Sequence, residues 1–169
     1  SSPKGDARAA QACYNGRDTT KGRGSRLEIR KADAQDLQTI LEIYAHARRF
    51  MAEHGNPTQW GSDRPPRSQT EDDIRRGRLY VCEAEGRIAC VFYFAQEEDP
   101  TYRVIEDGAW LADGPYGVVH RIASAPGTRG AATYCLNWAF ARCGNLRIDT
   151  HADNAPMQGL LRKLGFARC

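Results

Sequence analysis

From residue 27 onward the apolar positions switch between two periods, and each switch marks an element. Leu27 and Ile29 alternate with charged residues, which predicts a strand to about Arg30. Asp33 then offers an N-cap with Asp36 three residues on. Leu37, Ile40, Leu41, Tyr44 and Ala47 recur at helical spacing behind it, so a helix is expected from about 34 to 53. Gly55, Pro57, Gly61, Pro65 and Pro66 make 54–67 irregular. A short helix over 71–76 follows, with Thr70 as its cap and Asp73 in its first turn.

The segments 79–83 and 87–96 are rich in β-branched and aromatic residues and flank Glu85 and Gly86, the pattern of a hairpin. Residues 97–114 keep no sustained period and read as a loop. Val118 to Ala123 is the next strand. Apolar residues at 132, 135, 136, 139, 140 and 143 then follow helical spacing over 131–143, and Leu146, Ile148 and Thr150 alternate as a further strand. Asp153 or Asn154 caps a last helix with Pro156 in its first turn and the stripe Met157, Leu160, Leu161, Leu164, ended by Gly165. The simplest architecture for this order is α+β: one mixed sheet with helices on its faces, in a single domain over 26–169.

Residues 1–25 are rich in Gly, Ser, Lys and Arg without periodicity, and are expected to be a flexible tail or appended remnant outside the fold. They also account for the basic balance. The chain carries a net +3, but residues 1–26 hold six cations against two anions, which leaves the body near neutral. A near-neutral body lacks the clustered cations that phosphate neutralisation demands, so no nucleic-acid partner is expected. No apolar run is long enough to span a bilayer and no secretory stretch opens the chain, so neither a membrane nor export is expected and the cytoplasm is the expected location.

Cys13, Cys82, Cys90, Cys135, Cys143 and Cys169 show no C-x-x-C and no Cys/His pair at zinc spacing, so no metal site is indicated. Cys82, Cys90, Cys135 and Cys143 fall inside apolar periods, where reduced cysteine behaves as a small hydrophobe.

The chemistry points to the segment after Ser124. A turn holding Gly127 and Gly130 leads into a helix whose first turn, Gly130 to Thr133, contains only small residues. Small residues let a ligand approach the backbone, while free N–H groups and the helix dipole attract an anion such as a pyrophosphate. Arg129 adds a charge-assisted contact. By itself such a turn is a weak signal, because many α/β proteins use one only to reverse the chain.

The surrounding residues add weight. Gly127-Thr128-Arg129-Gly130-Ala131-Ala132 resembles the Q/R-x-x-G-x-G/A cofactor motif of the GNAT superfamily of acetyl-CoA-dependent N-acyltransferases, with the apolar Ile122 five residues ahead. The run from Asn154 to Phe166 resembles that family's N-x-x-A-x-x-L-Y-x-x-x-G-F ending. The resemblance covers about 26–169. Three positions depart from the pattern: Gly127 stands for Gln or Arg, Leu161 stands for the tyrosine that protonates the departing thiolate, and the last strand is expected to be truncated at Cys169.

The resemblance implies a largely antiparallel sheet splayed between its fourth and fifth family strands, 118–123 and 146–150. Coenzyme A would be bound there by Ile122, Ala123, Ser124, Gly127, Thr128, Arg129, Gly130, Ala131, Ala132, Thr133, Asn154 and Met157. It also implies direct transfer of an acetyl group from acetyl-CoA to a primary amine, on a small molecule or peptide, in a ternary complex.

The acceptor must lose a proton to attack, since an alkylamine is protonated near pH 7. Tyr116, Val118, His120 and Ile122 share one face of a regular strand, a face a β-bulge would invert. His120 is the first candidate base, with His151 the second and Tyr116 beside them. Phe50, Asn56, Gln59 and Trp60 are expected around the acceptor, with Glu106 available to a cationic one. The alternative reading is a non-catalytic acyl-CoA-binding or sensing module. The acceptor's identity and the oligomeric state, a homodimer included, stay open.

Overall fold

Seven strands form one sheet in the order β2-β3-β4-β5-β6-β1-β7, with helices on both faces. The structure, a computed structural model, describes residues 7–12, 26–96, 114–151 and 154–168. Its elements are β1 (Ala7–Ala12), β2 (Leu27–Lys31), a 3-10 turn (Ala34–Asp36) running into α1 (Leu37–Glu53), α2 (Arg67–Arg75), β3 (Leu79–Ala84), β4 (Arg87–Ala95), β5 (Gly117–Ser124), α3 (Ala131–Cys143), β6 (Leu146–His151), α4 (Ala155–Lys163) and β7 (Phe166–Arg168). The sheet is mixed: β5 and β6 are parallel and the remaining neighbours are antiparallel.

Both faces are covered, and the period-two pattern sorts side chains between them. Val81 and Val91 join Ile40, Ile43 and Tyr44 of α1 on one face. Cys82, Cys90 and Phe92 join Cys135, Leu136 and Ala139 of α3 and Leu161 of α4 on the other. Each fully buried aliphatic or aromatic side chain adds about 1.5–3 kcal/mol, so these two clusters fix which face each helix takes. At the entry to α1, Asp33 and Asp36 form the expected capping box. Arg30 reaches from β2 to Asp36 and to Glu83 of β3, both at 2.7 Å. Its guanidinium holds the Asp36 carboxyl below the usual carboxylate range against the opposing pull of burial.

Two elements differ from the sequence reading. Ala7–Ala12, expected outside the fold, is a strand paired along its length with β6 and also with β7. Its residues lack the β-branched and aromatic side chains that announce a strand, so the backbone pairing left no signature in the sequence. The rest of the expected tail lies outside the described residues, as does the expected loop after Gln96. α2 starts at Arg67 behind the extended Pro66, so Thr70 and Asp73, expected at its cap and first turn, are buried within it. A short closing strand, β7, pairs with β1.

A further difference, within β5, matters most for the site. Ala123 pairs with Val91 and His120 with Tyr93, so Arg121 and Ile122 together oppose the single residue Phe92. Arg121 has φ 49°, the left-handed region that few non-glycine residues adopt. This is a β-bulge, and it reverses the pleat. Val119 and Ile122 therefore face the α3 side together, while Val118 and Tyr116 cluster with Tyr93 and His120 lies against the Tyr93 ring. Tyr116, Val118 and His120 keep the expected common side, and Ile122 leaves it.

Candidate active site

β5 and β6 pair only from Gly117–Val119 to Leu146–Ile148, then part. At the pivot a Cβ on Gly117 would lie 2.8 Å from Cys143 Sγ and 2.9 Å from Phe94 Cε2, so only glycine lets α3 and β4 close there. Beyond the pivot the gap widens into a cleft of about 360 Å³. Ile122, Ala123 and Ser124 of β5 line one wall, Asn154, Pro156, Met157 and Leu160 of α4 the other, and His46, Ala47, Phe50 and Met51 of α1 lie over it.

The cleft runs to the turn between β5 and α3, where Ala125 to Thr128 and Ala132 complete the lining. Ala125 N–H donates to Ala89 at 2.8 Å, tying the turn to β4. Thr128 Oγ1 donates back to the Ala125 carbonyl at 2.7 Å, which uses this side chain to hold the turn. Gly127 and Gly130 have φ 74° and 76°, and a Cβ on either would meet nothing within 4 Å. Their role is conformational, and the space over them is open. Gly130 occupies the N-cap of α3 without a side-chain cap, and no acidic residue stands in the first turn. The leading amides of α3 thus present the positive end of a 13-residue helix to an open turn. An oxyanion is what that end attracts.

Across the cleft, Asn154 caps α4 by accepting from Met157 N–H at 3.3 Å. Its Nδ2 donates to Gln59 Oε1 at 3.0 Å, and the same oxygen accepts from Asn56 Nδ2 at 2.9 Å. Three carboxamides therefore join the loop between α1 and α2 to the start of α4. On the α1 and α2 face of the bulge, Arg121 Nη2 lies 2.5 Å from Asp73 Oδ2 and its guanidinium sits 4.9 Å from the Tyr93 ring centre. Burial pushes the Asp73 carboxyl up, and Arg121 opposes that shift.

A splayed parallel pair, an uncapped helix start and a glycine turn are together a scaffold for a ligand with an anionic head and a long arm. The family model for the acetyltransferase (GNAT) domain matches residues 26–167. The chain belongs to the GNAT acetyltransferase family. A GNAT acetyltransferase of Streptococcus agalactiae 2603 is similar at TM-score 0.76 and 26% identity, covering 93% of this chain and 95% of that one. The yncA protein of Salmonella typhimurium, solved with its cofactor acetyl-CoA, is similar at TM-score 0.55 and 18% identity over 82% of this chain and 78% of its own. The aminoglycoside N-acetyltransferase AAC(6')-Iy, solved with CoA, reaches TM-score 0.53 at 16% identity over 85% and 89%. The last two likenesses speak to the fold. No curated protein matches the sequence.

The GNAT motif positions are largely brought together. Ile122, Ala123, Ser124, Gly127, Thr128, Ala132, Asn154 and Met157 all line the cleft. Arg129 and Gly130 are exposed on the turn, Thr133 is half-buried in the first turn of α3, and Ala131 faces the core at 2% exposure. Among the residues expected around the acceptor, Phe50 lies on the cleft and stacks on His54 at 3.9 Å. Trp60 packs edge-on to Tyr44 in the core, whereas Asn56 and Gln59 belong to the carboxamide bridge. Glu106 lies outside the described residues, as does the side chain of His151, whose backbone closes β6. His120 and Tyr116 sit on the opposite side of β5 from Ile122 and do not line the cleft.

Leu161, in place of the family tyrosine, is 3% exposed and joins the α3 core, and its neighbour Leu160 is the one on the cleft. Cys135 is fully buried, and contact with Cys82 and then Cys90 pushes its thiol far up, so it is no nucleophile. The residue the sequence reading passed over is His46. It is the one ionisable side chain among the described residues lining the cleft. Its position one turn before Phe50 on the expected helix was the available signal.

Proposed function

We propose that this chain moves an acetyl group from acetyl-CoA to a primary amine by direct attack in a ternary complex. The observation that carries the reading is the cleft between β5 and α4, beyond the point where β5 and β6 part, ending at the uncapped start of α3. The fit is supported on both counts a coenzyme A molecule requires. Leading helix amides and Arg129 suit a pyrophosphate, and a narrow, mostly apolar gap beside an unpaired stretch of β5 suits an amide-bearing arm that hydrogen-bonds like an added strand. Acetyl-CoA supplies the activated acetyl group as a thioester.

In this reading the main chain of Ile122 and Ser124 pairs with the arm, and Asn154 at the mouth of α4 offers its carboxamide to it. Ala132 keeps the first turn of α3 low enough for the phosphates. The acceptor approaches from the α1 and α2 side of the sheet, where Tyr93, Tyr116 and His120 lie together. Juxtaposing amine and thioester supplies much of the rate without a covalent enzyme intermediate, in keeping with the burial of Cys135.

One observation favours a sensing module instead: with Leu161 in the core, α4 brings no ionisable group to the cleft. Release of free thiol from acetyl-CoA across a panel of polyamines, aminoglycosides, amino acid amides and peptide amino termini separates the two. Acceptor-dependent release supports the transferase, while tight binding with no release for any amine supports the sensor.

A further inference from the structure

We infer that His46 is the group that takes the proton from the acceptor amine. This rests on the acetyl transfer proposed above and names a residue that neither the family motif nor the strand β5 would indicate. β5, the turn after it and α4 give the cleft only apolar, hydroxyl and amide side chains, so among the described residues the imidazole of His46 is the sole lining group able to take up a proton. Imidazole is also the side chain suited to exchanging protons near neutrality.

The placement of His46 on α1 over the cleft supports the same role. Tyr44, two residues earlier, packs in one cluster with Ala123 just past the bulge. Phe50, one turn later, also lines the cleft and is 40% exposed. A helix advances about 1.5 Å per residue, so His46 stands about 6 Å along α1 from Phe50. His46 and Ile122 line the same cleft, and Ile122 follows the bulge directly. Glu42 and Phe50 flank it one turn away on α1, while β5 and α4 set no charged lining residue against it.

The step balances as follows. His46 accepts one proton from the acceptor's ammonium, leaving a neutral amine. The amine nitrogen bonds the carbonyl carbon, the carbon–sulfur bond breaks, and the second surplus proton of that nitrogen passes to the departing sulfur. His46 then returns its proton to water. An amide, a free thiol and one proton result.

His46→Gln tests this directly. With an acceptor taken from the panel above, kcat is expected to fall about 10²-fold or more, while the CoA Kd by calorimetry stays within about twofold. His46→Ala should regain part of the lost rate when imidazole is added to the buffer. A further readout needs no acceptor. Of the four histidine imidazoles, the one whose ¹H–¹⁵N signal disappears in His46→Gln should shift when CoA is added. Unchanged kcat in His46→Gln with normal CoA binding, or an unmoved imidazole signal, overturns the role of His46 alone. Failure of the wild-type chain to bind CoA overturns the acetyltransferase reading and this role with it.

Discussion

Asp73 of α2 and Arg121 of β5, 48 residues apart in the chain, meet at 2.5 Å with only 9% and 18% of their side chains exposed. Arg121 is also the residue with φ 49° at which β5 bulges. The pair therefore anchors a strained strand position to the helix behind it, and the bulge is what separates Ile122 on the cleft from His120 on the other face. Removing one partner of a buried pair leaves an uncompensated charge, at a cost of about 3–5 kcal/mol. Asp73→Ala is expected to lose stability on that scale in urea unfolding. Arg121→Ala should lose a similar amount, and with a sign that shows in pH. Burial already raises the Asp73 carboxyl, and without Arg121 it rises further, so this variant should lose stability as pH climbs from about 4. Equal stability of wild type and Asp73→Ala would show that the bulge stands without the pair.

The glycines of the turn act on binding through backbone conformation. Gly127 and Gly130 hold φ 74° and 76° with open space around them. Alanine at either meets no clash but pays about 1–2 kcal/mol for the left-handed conformation. Gly130→Ala should therefore lower Tm modestly, and weaken CoA binding by more than its stability loss explains, because the first amides of α3 shift with it. Calorimetry on the folded variant at 15 °C checks this. An unchanged Kd would detach the turn from the ligand.

Much of the site's frame was legible before the structure, and the legible parts share a cause. The Asp33 and Asp36 capping box, the Asn154 cap, the Glu85-Gly86 hairpin and the Gly130 start of α3 are local backbone requirements met by particular residue types. The illegible parts depend on tertiary pairing. Arginine carries no turn signature, so nothing in the local sequence places the bulge at Arg121, which meets Asp73 of α2 only in the folded chain. Ala7–Ala12 has backbone partners but little apolar area to announce a strand. His46 looked like any polar position on an amphipathic helix until the separation of β5 and β6 opened a cleft under it. Leu160 and Leu161 likewise shared one stripe in the sequence, and only packing assigned the first to the cleft and the second to the core.

The carboxamide bridge from Asn56 and Gln59 to Asn154 joins two walls of the cleft. Asn154→Ala removes both the α4 cap and the bridge, so a loss of about 1–2 kcal/mol is expected. Gln59→Ala removes the bridge and leaves the cap, with a smaller loss of about 1 kcal/mol. If the bridge shapes the cleft, Gln59→Ala also weakens CoA binding. Chemical unfolding of both variants, with and without CoA, separates the effects, and identical ligand stabilisation in Gln59→Ala and wild type would limit the bridge to local stability.

Acid should weaken the entry to α1 before neutral pH does. Arg30 holds the Asp36 carboxyl below its ordinary value, first by a side-chain hydrogen bond. A depressed carboxylate stabilises the fold above its unfolded pKa of about 4, and that contribution disappears as pH falls through the lower folded value. Because the Arg30 side chain is 39% exposed, the pair is screened and the effect of Asp36→Asn at pH 7 is set at about 1–2 kcal/mol. The gap between wild type and Asp36→Asn should close as pH falls below about 4. A gap that persists unchanged through the acid range would assign the effect to the helix cap instead.

The most direct measurement is a calorimetric titration of CoA into the folded chain, paired with thermal unfolding. Saturable heat at one site per chain is predicted, together with stabilisation of about 2.7 kcal/mol when CoA stands at about 100 times its Kd. No heat and an unmoved Tm in well-folded protein would contradict the assignment of the cleft between β5 and α4 to coenzyme A.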